Sequence, residues 1–218
     1  MSAGIHPLAS VIAAVARGIS GVQVRWAGCR REQKQRIYFA NHTSHLDFVV
    51  LWSALPGQVR ARTRPVAAKD YWEKGVRAYL AQKVFRAVLV HRRGTAQAGN
   101  REEARAAART LIDRLAEAMG ETESLILFPE GTRGTGDTIA PFRSGLYYLA
   151  KRKPEVELVP AYLENLNRIL PKGELLPVPL ISLLTFGVPI HVGETEDKHE
   201  FLERASAAMC ALRRKGES

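Results

Sequence analysis

Two short stretches of this 218-residue chain concentrate the residues able to do chemistry. The first is FANHTSHLD, residues 39–47, which follows the apolar run Arg36 to Ala40. Histidine titrates near neutral pH, so His42 suits the task of taking the proton from a hydroxyl that must act as a nucleophile. Asp47 would hold the imidazole in one tautomer and stabilise its charged form. The two side chains are five residues apart, about 140° on a continuous helix at ~100° per residue. They meet only if His42 precedes the helix and Asp47 lies in its first turns. A plainer reading stays open: Ser44 as N-cap with Asp47 at the third position simply starts a helix, and His42 is a hydrogen-bonded polar residue. His42 and His45 at i, i+3 also raise metal binding, but no third ligand lies nearby, so no metal is expected.

The second stretch is FPEGTRG, residues 128–134, again directly after an apolar run, Ser124 to Phe128. Pro129 and Gly131 predict a tight turn, and Gly131 and Gly134 would let backbone N–H groups approach an anion. Arg133 presents a bidentate fork for phosphate, while Glu130 would hold that arginine or accept from a substrate hydroxyl. An isolated turn with a surface arginine has the same composition. The stretch lacks the Lys-Ser/Thr ending of a nucleotide P-loop, and no G-x-G-x-x-G follows a strand, which disfavours a nucleotide-binding enzyme. A third arginine position, Arg92 or Arg93 in HRRG (91–94), follows the run Arg86 to Val90. By itself it reads equally as solvated surface.

The elements that must position these residues alternate. Val22–Trp26, Arg36–Ala40, Arg64–Ala68, Arg86–Val90, Ser124–Phe128, Glu157–Leu163 and Ile181–Phe186 read as strands. Helices are expected over Ser44–Ala54, from Asp70, over Asn100–Met119 and over Phe142–Lys151. The helix from Asn100 carries an apolar stripe through Ala104, Ala108, Leu111, Leu115 and Met119. Thr195 is expected to cap a closing helix with an acidic start (Glu196, Asp197) and a basic end (Arg213, Arg214, Lys215). This alternation implies an α/β fold: one domain with a mostly parallel central sheet flanked by helices. Active residues placed directly after strands sit where open α/β sheets bind ligands.

Thirty-two Lys and Arg against 22 Asp and Glu leave a formal charge of +10, which points to an anionic partner. Cys29 and Cys210 form no C-x-x-C pair, so neither a disulfide framework nor a zinc site is expected, and a reducing cytosolic compartment fits. Asn41-His42-Thr43 matches a glycosylation sequon by chance. Residues 5–20 are apolar but too short and interrupted to span a bilayer, and they lack a basic n-region. They predict a short amphipathic helix at a membrane surface or packed on the domain. Leu175 to Val192 carries no charge, yet Pro177, Pro179, Pro189 and Gly187 argue against a continuous helix, leaving a loop and then a buried strand.

Taken in order, NHTSHLD, an arginine after a buried strand, FPEGTR and Val159-Pro160-Ala161 resemble the glycerolipid acyltransferase family, the 1-acylglycerol-3-phosphate acyltransferases and their relatives. Asn41, His42 and Asp47 match the family's first motif, Arg92 best matches its second, and Phe128 to Arg133 match its third whole. Phe142, Arg143 and Gly145 match residues that follow the third motif. Val159-Pro160 matches the fourth motif, while Phe186-Gly187 with Pro189-Ile190 matches the final strand. The likeness covers roughly residues 20 to 192. It implies a catalytic dyad of His42 and Asp47. It also implies a phosphorylated acceptor held by Arg92, Glu130, Gly131, Thr132 and Arg133, with Lys69 near the same site. His91 departs from the aspartate usual before the second motif's arginine.

The implied reaction moves a fatty acyl group from an acyl-CoA or acyl carrier protein thioester to a lysophospholipid hydroxyl, without a cofactor. 1-Acylglycerol 3-phosphate is the first acceptor to consider, then glycerol 3-phosphate or another lysolipid. Residues 1–20 would be a membrane-associating segment and residues 21–218 the acyltransferase domain. The chain is expected on the cytoplasmic face of the membrane, peripheral or monotopic, against an anionic surface. The family's usual N-terminal membrane span is replaced by residues 5–20, and residues 165–180 are expected to touch the bilayer or line an acyl pocket. A rival of another class is a non-enzymatic binder of anionic membranes or nucleic acid, but no nucleic-acid motif is present and none is expected as partner.

Overall fold

Strand β2 (Arg36–Ala40) is buried at every position, the signature of a central strand covered on both faces. The computed structural model describes residues 7–44, 46–91, 101–134, 138–166 and 182–213. Around β2 it arranges β1 (Gln23–Trp26), β3 (Thr63–Ala68), β4 (Val88–Val90), β5 (Ser124–Leu127), β6 (Glu157–Glu164) and β7 (Leu183–Phe186). The sheet order is β1-β7-β6-β2-β5-β3-β4. Every neighbouring pair is parallel except β6 with β7. The mostly parallel sheet expected from the alternating pattern is therefore present, with β1 and β7 running against the rest at one edge.

One face is covered by α1 (Pro7–Ser20) and α2 (Asp47–Ala54). Ala9 and Ala13 join Val50, Leu51 and Trp52 over Tyr38 and Ile126. The other face carries α6 (Arg101–Met119), α7 (Gly145–Arg152) and α8 (Lys198–Cys210), whose Met119, Leu149 and Phe201 pack over Ile37, Phe39 and Leu125. On α6 the core is met by Ile112, Leu115, Ala116 and Met119, while Ala104 and Ala108 of the expected stripe are half-buried. Among the described residues, short helices α3 (Gly57–Ala61), α4 (Lys69–Trp72) and α5 (Gly75–Tyr79) and a π-turn (Leu80–Val84) lie in the connections.

Several boundaries differ from expectation for local reasons. Helix α2 begins at Asp47 rather than Ser44, because the Asp47 carboxylate folds back onto the N–H groups of Thr43 and Ser44. Asp197, not Thr195, caps α8 in a capping box with Glu200. Strand β4 starts at Val88 because Arg86 lies at φ 51° after the π-turn, with its guanidinium on Ala61 O and Glu123. Helix α7 starts at Gly145, leaving Phe142 and Arg143 in the preceding loop.

At the amino ends of the strands, the fully buried Arg36 donates to Glu157 Oε2 (2.9 Å) and Arg30 O (2.8 Å), and Lys34 pairs with the same glutamate. Burial works against charge on Glu157, yet these cationic partners outweigh it and hold the carboxyl below its usual range. This network staples the start of β2 to β6, leaving the opposite ends of the strands for the candidate site residues.

Candidate active site

The carboxyl ends of β2, β3, β4 and β5 point the same way, so the residues after Ala40, Ala68, Val90 and Leu127 share one edge of the sheet. This is where parallel sheets leave a crevice. His42 leaves β2 there and ends 2.8 Å from Asp47, Nδ1 to Oδ2. The same oxygen accepts the N–H groups of Thr43 (2.6 Å) and Ser44 (2.8 Å). Asp47 is 0% exposed and the His42 side chain 17%, so the pair presents an imidazole edge and hides its carboxylate. With Nδ1 turned to Asp47, Nε2 is the ring nitrogen left to meet a substrate proton. Helix start and dyad thus coexist, since one aspartate oxygen serves both.

Three further contacts place the imidazole. The Phe128 ring stacks on it, with centroids 4.3 Å apart and planes 22° apart. The His42 N–H donates to Glu130 Oε1 (2.8 Å), and its carbonyl accepts from Gly134 N–H (2.8 Å). Asn41 anchors the preceding residue: its amide donates to Leu163 O and accepts from Leu163 N–H, continuing the β2–β6 ladder beyond Ala40.

The 128–134 loop is more self-engaged than its composition suggests. Glu130 is buried, and its second carboxylate oxygen accepts from Ala140 N–H (2.9 Å), so both oxygens face backbone rather than the cleft. The Gly131 N–H donates to Phe128 O (3.0 Å) and the Gly134 N–H to His42 O, so neither glycine amide is aimed at an anion. These two amides close the turn instead. Gly131 is required for conformation: it sits at φ 72°, and a Cβ there would lie 2.3 Å from Arg143 Nε. Arg143 covers the turn, donating from its backbone to Pro129 O (2.8 Å) and from Nε to Glu130 O (3.3 Å).

A cleft of about 490 Å³ opens at His42. Gly131 and Arg133 line it, Phe48, Val66, Trp72 and Phe128 are among its apolar wall, and Ala68, Asp70 and Tyr71 also border it. Thr132 is exposed on the loop between Gly131 and Arg133. Lys69 lies between the cleft residues Ala68 and Asp70, with its Nζ 3.4 Å from His91 Nε2. Arg92, Arg93 and His45, together with residues 167–180 of the expected membrane-touching segment, lie outside the described residues. Phe128 as a ring platform and Phe48, Trp72 and Asp70 as cleft wall are absent from the sequence-based set. The adjacency of Phe128 to Pro129 and of Phe48 to Asp47 is the only local signal for two of them. Trp72 arrives through the fold.

Among the described residues no helix is long and apolar enough to cross a membrane. Residues 22–164 match the acyltransferase family. The 1-acyl-sn-glycerol-3-phosphate acyltransferase of Limnanthes douglasii is 27% identical over 182 residues, covering 83% of this chain and 59% of that protein. The enzyme of the same name from Limnanthes alba is 27% identical over 180 residues, covering 82% and 58%. The chain therefore spans less than two thirds of the length of these relatives. The crystal structure of the 1-acyl-sn-glycerophosphate (LPA) acyltransferase from Thermotoga maritima shares the fold. Its TM-score is 0.68 at 17% identity, over 94% of this chain and 77% of that one.

Proposed function

Because the chain belongs to the acyltransferase family, we propose that it moves a fatty acyl group from a CoA or acyl-carrier-protein thioester to the free hydroxyl of a lysophospholipid. The proposed acceptor is 1-acylglycerol 3-phosphate, giving phosphatidic acid. The observation that carries this reading is the His42–Asp47 pair, 2.8 Å apart at the mouth of a cleft that joins an arginine to an apolar wall. A base beside a cation and a greasy surface suits an acceptor with a phosphate, a hydroxyl and a hydrocarbon chain.

In this mechanism the acceptor phosphate pairs with Arg133, and its hydroxyl meets His42 Nε2. The imidazole takes the hydroxyl proton as the oxygen attacks the thioester carbonyl, while Asp47 stabilises the charge forming on the ring. The carbon–sulfur bond then breaks, and His42 returns the proton to the departing thiolate. Glu130 acts as a positioning residue through the His42 backbone. Arg92, Lys69 and Thr132 are assigned to the acceptor's head by family likeness, Lys69 from its place beside His91. The chain works at a membrane surface on the exposed apolar stripe of α1, Leu8, Val11, Val15 and Ile19.

Thiol release from acyl-CoA or acyl carrier protein, with products identified by mass spectrometry across an acceptor panel, tests the reading. His42→Ala and Asp47→Asn should each lower kcat by roughly 10²- to 10⁴-fold with unchanged circular dichroism. Near-normal turnover by His42→Ala rejects the mechanism. Arg133→Ala should chiefly raise the acceptor KM, and an unchanged KM removes that role. Preference for glycerol 3-phosphate or another lysolipid would reassign the acceptor while keeping the chemistry.

A further inference from the structure

The segment between β3 and β4 does two things at once. Its first part, Asp70 to Trp72, lines the cleft; its next part leaves the protein surface apolar. Val76 is 76% exposed, the highest among the exposed large hydrophobic residues described, and Tyr79 is 48% exposed. They stand three apart on α5 and share a face. Lys74, Arg77 and Lys83 are exposed around them, against the single acid Glu73 in residues 73–83. The Arg77 guanidinium lies over the Tyr71 ring, 4.4 Å from its centroid, tying this patch to the cleft wall. The following π-turn inserts Ala81 and Val84 into the interior, and Val84 and Phe85 pack in the same core cluster as Ala9 and Ala13 of α1. Patch and α1 therefore lie over the same face of the sheet.

We propose that Val76, Tyr79, Lys74 and Arg77 form a second lipid-docking surface that seats the cleft against an anionic bilayer, so that a lipid acceptor enters from the membrane plane. Apolar side chains ringed by cations have the composition that binds headgroup and acyl boundary together. The cations complement anionic headgroups, and the cleft wall formed by residues 70–72 is continuous with the patch. This inference rests on the lipid-acceptor reading above, and the two fail differently.

The full chain is tested by co-sedimentation with vesicles of equal parts phosphatidylglycerol and phosphatidylcholine. It is also tested by turnover on 1-acylglycerol 3-phosphate held in such vesicles and on a short-chain, water-soluble analogue. Lys74→Ala with Arg77→Ala should weaken vesicle binding about thirtyfold. Val76→Ser with Tyr79→Ser should lower turnover on the vesicle-borne acceptor about tenfold, leaving turnover on the soluble analogue unchanged. Val11→Ser with Val15→Ser on α1 should weaken vesicle binding without removing the effect of the α5 changes. If both α5 variants bind vesicles and turn over the vesicle-borne acceptor like the wild type, the docking surface is rejected. If the wild type binds vesicles through this patch but turns over neither acceptor, the docking surface stands and the acceptor assignment falls.

Discussion

At the residue scale, the site is built by making single atoms serve two purposes. Asp47 Oδ2 receives two backbone N–H groups and faces the imidazole, so the charge that starts α2 also orients the proposed base. Glu130 braces the loop after β2 against the loop after β5 by accepting from His42 and Ala140 N–H groups. Gly131 lets Arg143 lie over the turn, at a φ that side chains rarely adopt. Gly131→Ala should cost about 1–3 kcal/mol from backbone strain. It should also displace Arg143 from Glu130 O. Thermal unfolding would show it as a fall in Tm of roughly 3–10 °C. Adding Arg143→Ala removes the contact but not the φ, so recovery should be partial; full recovery would assign the whole cost to the contact.

At the element scale, the sheet has a structural end and a chemical end. Arg36, Lys34 and Glu157 tie the starts of β2 and β6, while His42 and the 128–134 loop occupy the far ends. The Glu157 carboxyl is held below its ordinary value of 4.5, so the stability it contributes is present above that pH and is lost as pH falls through the lower folded value. Tm should begin to fall as pH drops below about 4.5, and Glu157→Gln should lessen that fall. At neutral pH the same change removes one of the two carboxylates on the fully buried Arg36 and leaves Glu32 Oε1 at 3.2 Å, a loss of about 1–3 kcal/mol. A wild-type-like denaturant midpoint for Glu157→Gln would show that the Glu32 carboxylate and the carbonyls of Arg30 and Glu32 suffice for Arg36.

At the scale of the whole molecule, the proposed membrane docking draws on charge and exposed apolar surface together. The formal charge of +10 and the α1 stripe of Leu8, Val11, Val15 and Ile19 suit an acidic bilayer. Helix α1 buries the small residues Ala9 and Ala13 and turns Leu8, Val11, Val15 and Ile19 outward, with only Ile12 of its larger aliphatics packed against the core. Affinity for anionic vesicles should fall as salt rises, because the Debye length shortens from about 10 Å at 0.1 M to about 3 Å at 1 M. Neutral vesicles should show only the residual, salt-insensitive binding of the apolar stripe. Equal binding to neutral and anionic vesicles would remove charge from the account.

What the sequence determined by itself was local: which candidate residues follow an apolar strand, and that strands alternate with helices around a mostly parallel sheet. Those facts are written within about ten residues of one another, so side-chain type and spacing suffice to read them. Even the His42–Asp47 meeting follows from a turn only five residues long. Sheet order is not local. It sets β5 beside β2, bringing Glu130 to the backbone of a residue 88 positions away and Phe128 onto its ring. Only the tertiary structure decided that Glu130 faces inward, that the Gly131 and Gly134 amides close a turn, and that Phe48 and Trp72 wall the cleft. Each of those outcomes depends on which distant backbone group lies within hydrogen-bond or packing reach, and no spacing along the chain encodes that.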